Sequence, residues 1–197
     1  MKKGIEILNK NVVYNGFFRM EKQCLRHELF SGGWSNEITR ELFVRDNCVA
    51  VVLYDVERDK VVLIEQFRVG AAENPINTPW LVEIVAGIME EGESIEDVAR
   101  RETREEAGCE LLDLIRINKF YLSPGGSSEQ ITLFCGIVNS ENVGGIHGVA
   151  DEHEDIFVRV VPFEEAYNMV ISNQIDSAIP IMALQWLALN RLLIRNR

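Results

Sequence analysis

The chain has 197 residues, 47% of them apolar, and a formal net charge of −11. That length and apolar content suit one folded domain of ordinary size with a substantial core, and they set aside disorder and low-complexity structure. The acidic balance argues against nucleic acid or an anionic membrane face as a broad electrostatic partner, and the four cysteines (Cys24, Cys48, Cys109, Cys135) form no C-x-x-C pair, which points to a reducing, cytoplasmic setting.

The first ten residues are partly basic but have no uninterrupted apolar stretch, so they read as no secretory signal. Alternating runs follow at Glu6 to Tyr14, Phe18 to Phe30 and Glu37 to Val44, with Ser31-Gly32-Gly33 as a turn. Residues 1–45 are therefore expected to form an N-terminal antiparallel sheet, and 46–197 the main domain. Denser strands are predicted at Cys48 to Asp55 and Lys60 to Phe67, joined by the polar turn Val56-Glu57-Arg58-Asp59, and a further one at Trp80 to Val85. Ser94 to Ala107 reads as a helix: Ser94 can cap it, Asp97 completes a capping-box-like start, and Gly108 stands where a left-handed C-terminal residue belongs. Strands at Leu111 to Tyr121, Glu129 to Val138 and Asp155 to Pro162 precede two helices, Phe163 to Ser172 and Ser177 to Arg195. The apolar segment Ile179 to Ile194 is interrupted by Gln185, Asn190 and Arg191, so it is an amphipathic helix rather than a membrane span. Strands interleaved with few helices give an α/β or α+β fold, a mixed sheet clasped between helices.

The chemistry lies in the stretch from Gly87 to Cys109. On a helical wheel Ile95, Val98 and Ala99 define the apolar stripe, and Glu102 and Glu106 fall on that same stripe while Arg104 points away. A carboxylate facing a core is costly unless a partner compensates it. Two of them one turn apart, with Glu105 at the edge, form an oxygen-rich cluster suited to a hard cation such as Mg²⁺. Arg101 sits one turn before Glu105, but one guanidinium cannot neutralise three acids. The alternative, a solvated charged helix, is the commoner explanation of a Glu-rich stretch when spacing is ignored.

The spacing decides between them. The segment resembles the box of the Nudix family, Gly-x5-Glu-x7-Arg-Glu-U-x-Glu-Glu-x-Gly-U with U bulky and apolar, and the fixed residues Gly87, Glu93, Arg101, Glu102, Glu105, Glu106 and Gly108 all match. At roughly one in fifteen per position, a chance match is on the order of one in a hundred million per start site. Thr103 and Cys109 depart from the pattern at the U positions, yet both can pack inward. The resemblance implies an α/β/α sandwich with Glu102, Glu106 and the carbonyl of Ala86 as ligands of Mg²⁺, for which Mn²⁺ could substitute. It also implies that Glu93 pairs with Arg101 to brace the helix and that Glu105 supports the cluster.

Pro124, sixteen positions after Gly108 in Ser123-Pro124-Gly125-Gly126, resembles the marker of the ADP-ribose pyrophosphatase branch. Likeness to that branch extends through Val62 to Arg68, Thr78 to Gly87, Gly148 to Asp155 and Ala183 to Leu187. It implies a homodimer with an exchanged N-terminal sheet, Phe17 stacking on adenine, Arg40 and Arg68 contacting the diphosphate or nucleoside, and Glu83 and Glu129 as polar contacts. Phe17 could equally be a core aromatic, and the arginines surface ion pairs. Hydrolysis also needs a proton acceptor outside the helix, and Asp151-Glu152-His153-Glu154-Asp155, after the glycine-rich and expectedly mobile Gly144 to Gly148, offers candidates. The resemblance ranks Glu152 first as general base, Glu154 as an assistant or a further metal ligand, and His153 third. The implied reaction is Mg²⁺-dependent splitting of ADP-ribose into AMP and ribose 5-phosphate. Its rivals are the same chemistry on GDP-mannose or another sugar nucleotide, and a nucleotide sensor that does not cut.

Overall fold

The computed structural model describes residues 3–73 and 76–196. They divide into two compact units, one made of the chain up to Asn47 with Phe120–Ile131, the other of Cys48–Lys119 with Thr132 onward. No helix among the described residues is long and apolar enough to cross a membrane.

In the first unit β1 (Ile5–Asn15), β2 (Arg19–His27) and β3 (Ile38–Val44) form an antiparallel sheet in that order. The second strand stops at His27, short of the expected Phe30, because Leu29 and Gly33 close a turn in which Gly32 and Gly33 take φ values of 88° and 75°. The far end of β3 is zipped to the Ser-Pro-Gly-Gly loop: Phe43 donates to the Gly126 carbonyl, and Ser128 donates to that of Phe43.

Most of a larger sheet belongs to the second unit. It is built from β4 (Cys48–Asp55), β5 (Lys60–Phe67), the short helix α1 (Val69–Glu73), β6 (Trp80–Glu83), β7 (Val85–Ile88), α2 (Ile95–Ala107), β8 (Asp113–Tyr121), β9 (Gln130–Ile137), β10 (Gly145–His147), β11 (Ile156–Pro162), α3 (Phe163–Ile171) and α4 (Ala178–Arg195). Phe120 and Tyr121 of β8 and Gln130 and Ile131 of β9 belong to the first unit. The strand order is β10-β11-β5-β4-β9-β8, with β6 beside β5 and β7 beside β4. Two expectations are corrected here. The strand expected over Trp80 to Val85 is two strands on different partners, and the step falls where Ile84 and Val85 are both buried, breaking the two-residue alternation a single strand requires. The glycine-rich stretch expected to be a mobile loop contains β10, which pairs with β11. Sequence hides so short a strand because Gly144, Gly145 and Gly148 take positive φ around it.

Alternation along the central strands sends side chains to both faces. Val49, Val51 and Leu53 of β4, Val62 and Ile64 of β5 and Val158 of β11 pack with Val98, Ala99 and Ala107 of α2. Ala50, Val52 and Tyr54 lie on the opposite face, where α4 packs through Ala183, Leu184 and Leu187 and α3 through Phe163, Ala166 and Met169. The result is the helix–sheet–helix layering expected from the sequence.

Candidate functional site

The site begins with the local logic of α2. Ser94 caps the helix: its hydroxyl accepts from the Asp97 N–H at 3.2 Å and donates to the Asp97 carboxylate at 2.6 Å. At the other end Gly108, at φ 62°, donates to the Arg104 carbonyl while Cys109 donates to that of Thr103, a left-handed closure. Between these caps the wheel holds: Val98, Ala99, Glu102, Thr103, Glu106 and Ala107 are buried. Thr103 satisfies its buried hydroxyl by donating to the Ala99 carbonyl.

Arg101 organises the acids around it. Its Nε and Nη2 grip both oxygens of Glu93 at 2.9 and 3.0 Å, and Nη1 reaches Glu102 at 2.7 Å and Glu105 at 3.1 Å. Nη2 also donates to the Ile88 carbonyl, tying the helix to the strand that precedes it. A forked, bidentate pair of this kind is a strong anchor, and it pushes the Arg101 pKa above its ordinary value.

Glu106 has no such relief. It is 2% exposed and accepts one hydrogen bond, from the Ala86 N–H at 2.9 Å. Burial, with the neighbouring charges of Glu102 and Glu154, pushes its carboxyl up to about 8, against the opposing pull of that N–H and of Arg68. Burial likewise raises Glu102 despite Arg101. In an extended strand a residue's N–H and C=O point to the same side. Ala86 gives its N–H to Glu106, so strand geometry makes its carbonyl, on the same side of β7, the backbone oxygen best placed to join the carboxylates. Gly87, next along β7, carries no side chain because a Cβ there would lie 1.6 Å from Glu102 Oε1.

This donor set fits a divalent cation. It offers carboxylate and carbonyl oxygens, the ligands hard cations take, and Glu106 is a charge-bearing group that the protein alone leaves destabilised. Among the described residues no three His, Cys, Asp or Glu side chains already converge as a closed cage; Glu102 and Glu105 are turned to Arg101 instead.

The acidic loop is joined to the helix. Gly148 donates to the Glu105 carbonyl, and the His147 ring lies so close to Gly108 that a Cβ there would stand 2.4 Å from it. Within the loop Glu154 is part-buried, accepts from the Val149 N–H and is near enough for its charge to bear on both Glu102 and Glu106. Glu152 and His153 are exposed on the short 3-10 turn that begins at Ala150. Arg68 and Glu83 form an ion pair at 2.7 Å in the same unit, and the Arg68 charge also bears on Glu106. The structure thus gathers Ala86, Glu102, Glu105, Glu106, Glu154, Arg68 and Glu83 in the second unit.

Phe17, Arg40 and Glu129 belong to the first unit. Phe17 is 88% exposed, which removes the core-aromatic reading, and it meets Phe18 edge-on. Arg40 donates to its neighbour's carbonyl at Thr39. Glu129 pairs with Arg45 at 3.2 Å, and the Arg45 guanidinium lies over the Phe18 ring. Arg45 went unnoticed in the sequence because nothing local marks it; its partner is 84 positions away.

Comparison with known proteins agrees with this geometry. The NUDIX domain model matches residues 44–184. The chain is 46% identical over 188 residues to the ADP-ribose pyrophosphatase of Haemophilus influenzae, covering 94% of this chain and 87% of that one. It is 31% identical over 183 residues to a GDP-mannose pyrophosphatase of Shigella flexneri, covering 93% and 88%. A solved structure described as an ADP compounds hydrolase superposes with a TM-score of 0.69 over 93% of this chain and 94% of that one, at 22% identity, a likeness of fold.

Proposed function

The chain belongs to the Nudix family, and from that premise we propose that it hydrolyses the diphosphate bond of ADP-ribose to AMP and ribose 5-phosphate with Mg²⁺ as cofactor, Mn²⁺ substituting. The coarser statement, a hydrolase of nucleoside diphosphate compounds, follows from its relatives. The observation that supports the cation is Glu106: a nearly sealed carboxyl with one N–H donor, pushed up to about 8 by burial and neighbouring acids, is the group whose charge a divalent ion would relieve. ADP-ribose is preferred to GDP-mannose on the margin of 46% over 31% identity across nearly the whole chain.

Glu102, Glu106 and the Ala86 carbonyl would hold the ion, with Glu154 completing the set and Glu105 supporting it. Bound there, the ion would lower the pKa of a water and disperse charge on the phosphoryl oxygens. Glu93 and Arg101 keep the helix and its carboxylates at a fixed angle to β7. In the second unit Arg68 and Glu83 would receive the substrate; Phe17, Arg40 and Glu129 are proposed as substrate contacts that the first unit supplies. Glu152, exposed on its turn, would take the water's proton, with Glu154 and then His153 as alternatives.

Product analysis over a panel of ADP-ribose, GDP-mannose and other sugar nucleotides tests the substrate. AMP with ribose 5-phosphate as the fastest-formed products is expected; preferential GDP-mannose cleavage would move the chain to that branch, and no cleavage of any of them would favour a sensor. Glu152→Gln is expected to lower kcat about 100-fold or more with KM within a few-fold of wild type. Near-normal turnover would pass the base role to Glu154 or His153.

A homodimer in which the 1–45 sheet is exchanged is part of the same proposal. Its support is β1, exposed along its whole length with Ile5, Ile7, Val12 and Val13 each more than half exposed. An apolar strand open on both faces is a liability unless another surface covers it. Light scattering is expected to give twice 22.4 kDa, and Ile7→Lys with Val12→Lys to shift that mass toward the monomer. The spacing of the four cysteines, with no C-x-x-C pair, supports a cytoplasmic setting.

A further inference from the structure

The strand that leads into the acidic loop has little stiffness of its own. β10 is three residues long at the edge of the sheet, and Gly144, Gly145 and Gly148 around it take φ values of 139°, 98° and 102°, so its backbone is permissive and must be held by its neighbours. On one side it pairs with β11, where His147 stands opposite the fully buried Ile156. On the other it meets the end of α2: Gly148 donates to the Glu105 carbonyl at 3.1 Å, and the half-buried His147 ring fills the space over Gly108. The fit is close, since a Cβ on Gly108 would stand 2.4 Å from the ring's Cε1, 3.0 Å from Nδ1 and 3.3 Å from Nε2. Nε2 donates to the Gly144 carbonyl at 3.1 Å, which fixes the ring's orientation, because a carbonyl can only accept.

The loop that follows is closed on itself. Val149 donates to the Glu154 carboxylate at 3.1 Å, and the Val149 carbonyl accepts from Glu152 at 3.0 Å and from Glu154 at 3.3 Å. Gly148 lies against Glu154, for a Cβ at Gly148 would come 2.8 Å from the Glu154 Cβ and 3.0 Å from its carbonyl oxygen. A loop bonded internally in this way holds its shape, so the placement of Glu152 and Glu154 relative to Glu102 and Glu106 is decided at its two roots. One root is Ile156, in the core under α2. The other is His147 on Gly108.

We propose that His147 is a positioning residue for the hydrolysis: its ring, seated on Gly108, fixes the root of the acidic loop against the last turn of α2 and so sets Glu152 and Glu154 against the carboxylates of Glu102 and Glu106. The inference rests on the diphosphate-hydrolase reading and adds a task for Gly108, which leaves room for the ring besides taking the left-handed φ of 62° that closes the helix. His147 acts through the backbone it holds and not at the reacting atoms, as a supporting residue does when it locks the groups that carry the chemistry.

His147→Ala removes the ring and its donor, and leaves the hydrogen bond from Gly148 to Glu105 to tie the loop to the helix. With ADP-ribose and Mg²⁺, kcat is expected to fall about 10–100-fold, the range typical of residues that orient a metal site from behind. KM should stay within about threefold, because Arg68 and Glu83 are untouched. In EDTA, without substrate, amide hydrogen exchange in segment 144–155 is expected to quicken about tenfold or more while segment 95–107 keeps its wild-type rate. His147→Gln, whose side-chain N–H reaches about as far as Nε2, should recover most of both losses. A residue that merely stabilises the fold would quicken exchange in both segments alike. That outcome overturns the proposal, as do a kcat within about threefold of wild type, unchanged exchange in 144–155, or an H147Q no better than H147A. Should H147A fail to fold, His147→Leu, which fills the space without a donor, takes over both measurements on the same terms. Wild-type protein run alongside separates the two levels: if it cleaves no sugar nucleotide, the hydrolase reading itself falls, and the exchange in EDTA still decides whether His147 holds the loop.

Discussion

Glu106→Gln is expected to cut turnover by about 1,000-fold or more while making the metal-free protein more stable. The first effect follows from the proposal that Glu106 is a direct ligand, whose removal should exceed the roughly 10–100-fold losses typical of residues that only support one. The second comes from the sign of the pKa change. In the folded chain the Glu106 carboxyl is raised to about 8 from an ordinary 4.5, so between those values the folded state holds a proton that the unfolded state has released. Stability therefore falls as pH rises through this window, and the full cost is in force above about pH 8. Gln carries no charge and can still accept from the Ala86 N–H, so the variant escapes the loss. With relaxation allowed for, the gain above pH 8 is on the order of 3 kcal/mol, or about 6–12 °C in Tm, and it shrinks to nothing near pH 4.5.

Thermal melts in EDTA at pH 5 and pH 8.5 read this directly, and Mg²⁺ should reverse the order by stabilising wild type and not the variant. Equal melting differences at both pH values would mean that Glu106 is not the strained group described here. A variant that unfolds in EDTA would make it a structural acid.

The helix and its acids were legible in the sequence because their signals are local. Ser94 and Gly108 mark the ends of α2, the wheel turns Glu102 and Glu106 inward, and a fixed spacing links Glu93 to Arg101, so each feature can be read within about twenty residues. The central strands were equally plain, since Cys48–Asp55 and Lys60–Phe67 are dense apolar runs bounded by a polar turn. What escaped depends on contacts between distant segments. The change of partner between β6 and β7 is visible only once β4 and β5 are known to lie side by side. Arg45 has meaning only through Glu129, and the joint between Gly148 and Glu105 only through a hydrogen bond across 43 positions of chain, from one end of the acidic loop to the last turn of the helix. His147 is the extreme case: in sequence it is a histidine in a glycine-rich stretch, and its fit over Gly108 exists only in three dimensions.

Gly87→Ala is expected to lower turnover about 100-fold or more and to leave the fold standing. The added Cβ would lie 1.6 Å from Glu102 Oε1, 1.9 Å from Cδ and 2.5 Å from Cγ, distances no packing can absorb. Gly87 sits in β7 without a positive φ, so alanine meets no backbone objection, and the clash is with the end of a flexible side chain rather than with main chain. The carboxylate will therefore swing away while β7 and α2 stay where Arg101 holds them through Glu93 and the Ile88 carbonyl. Stability should move by no more than about 1 kcal/mol, whereas the proposed metal position loses one of its two principal acids. Kinetics of Gly87→Ala, Glu102→Gln and the double variant decide the matter. If the glycine matters only because it leaves room for Glu102, the double variant will be no slower than Glu102→Gln alone, so the two losses will not add. Additive losses would mean that the Gly87 backbone has a separate task, and near-normal turnover of Gly87→Ala would mean that the carboxylate can leave its position without harm, which would remove Glu102 from the ligand set.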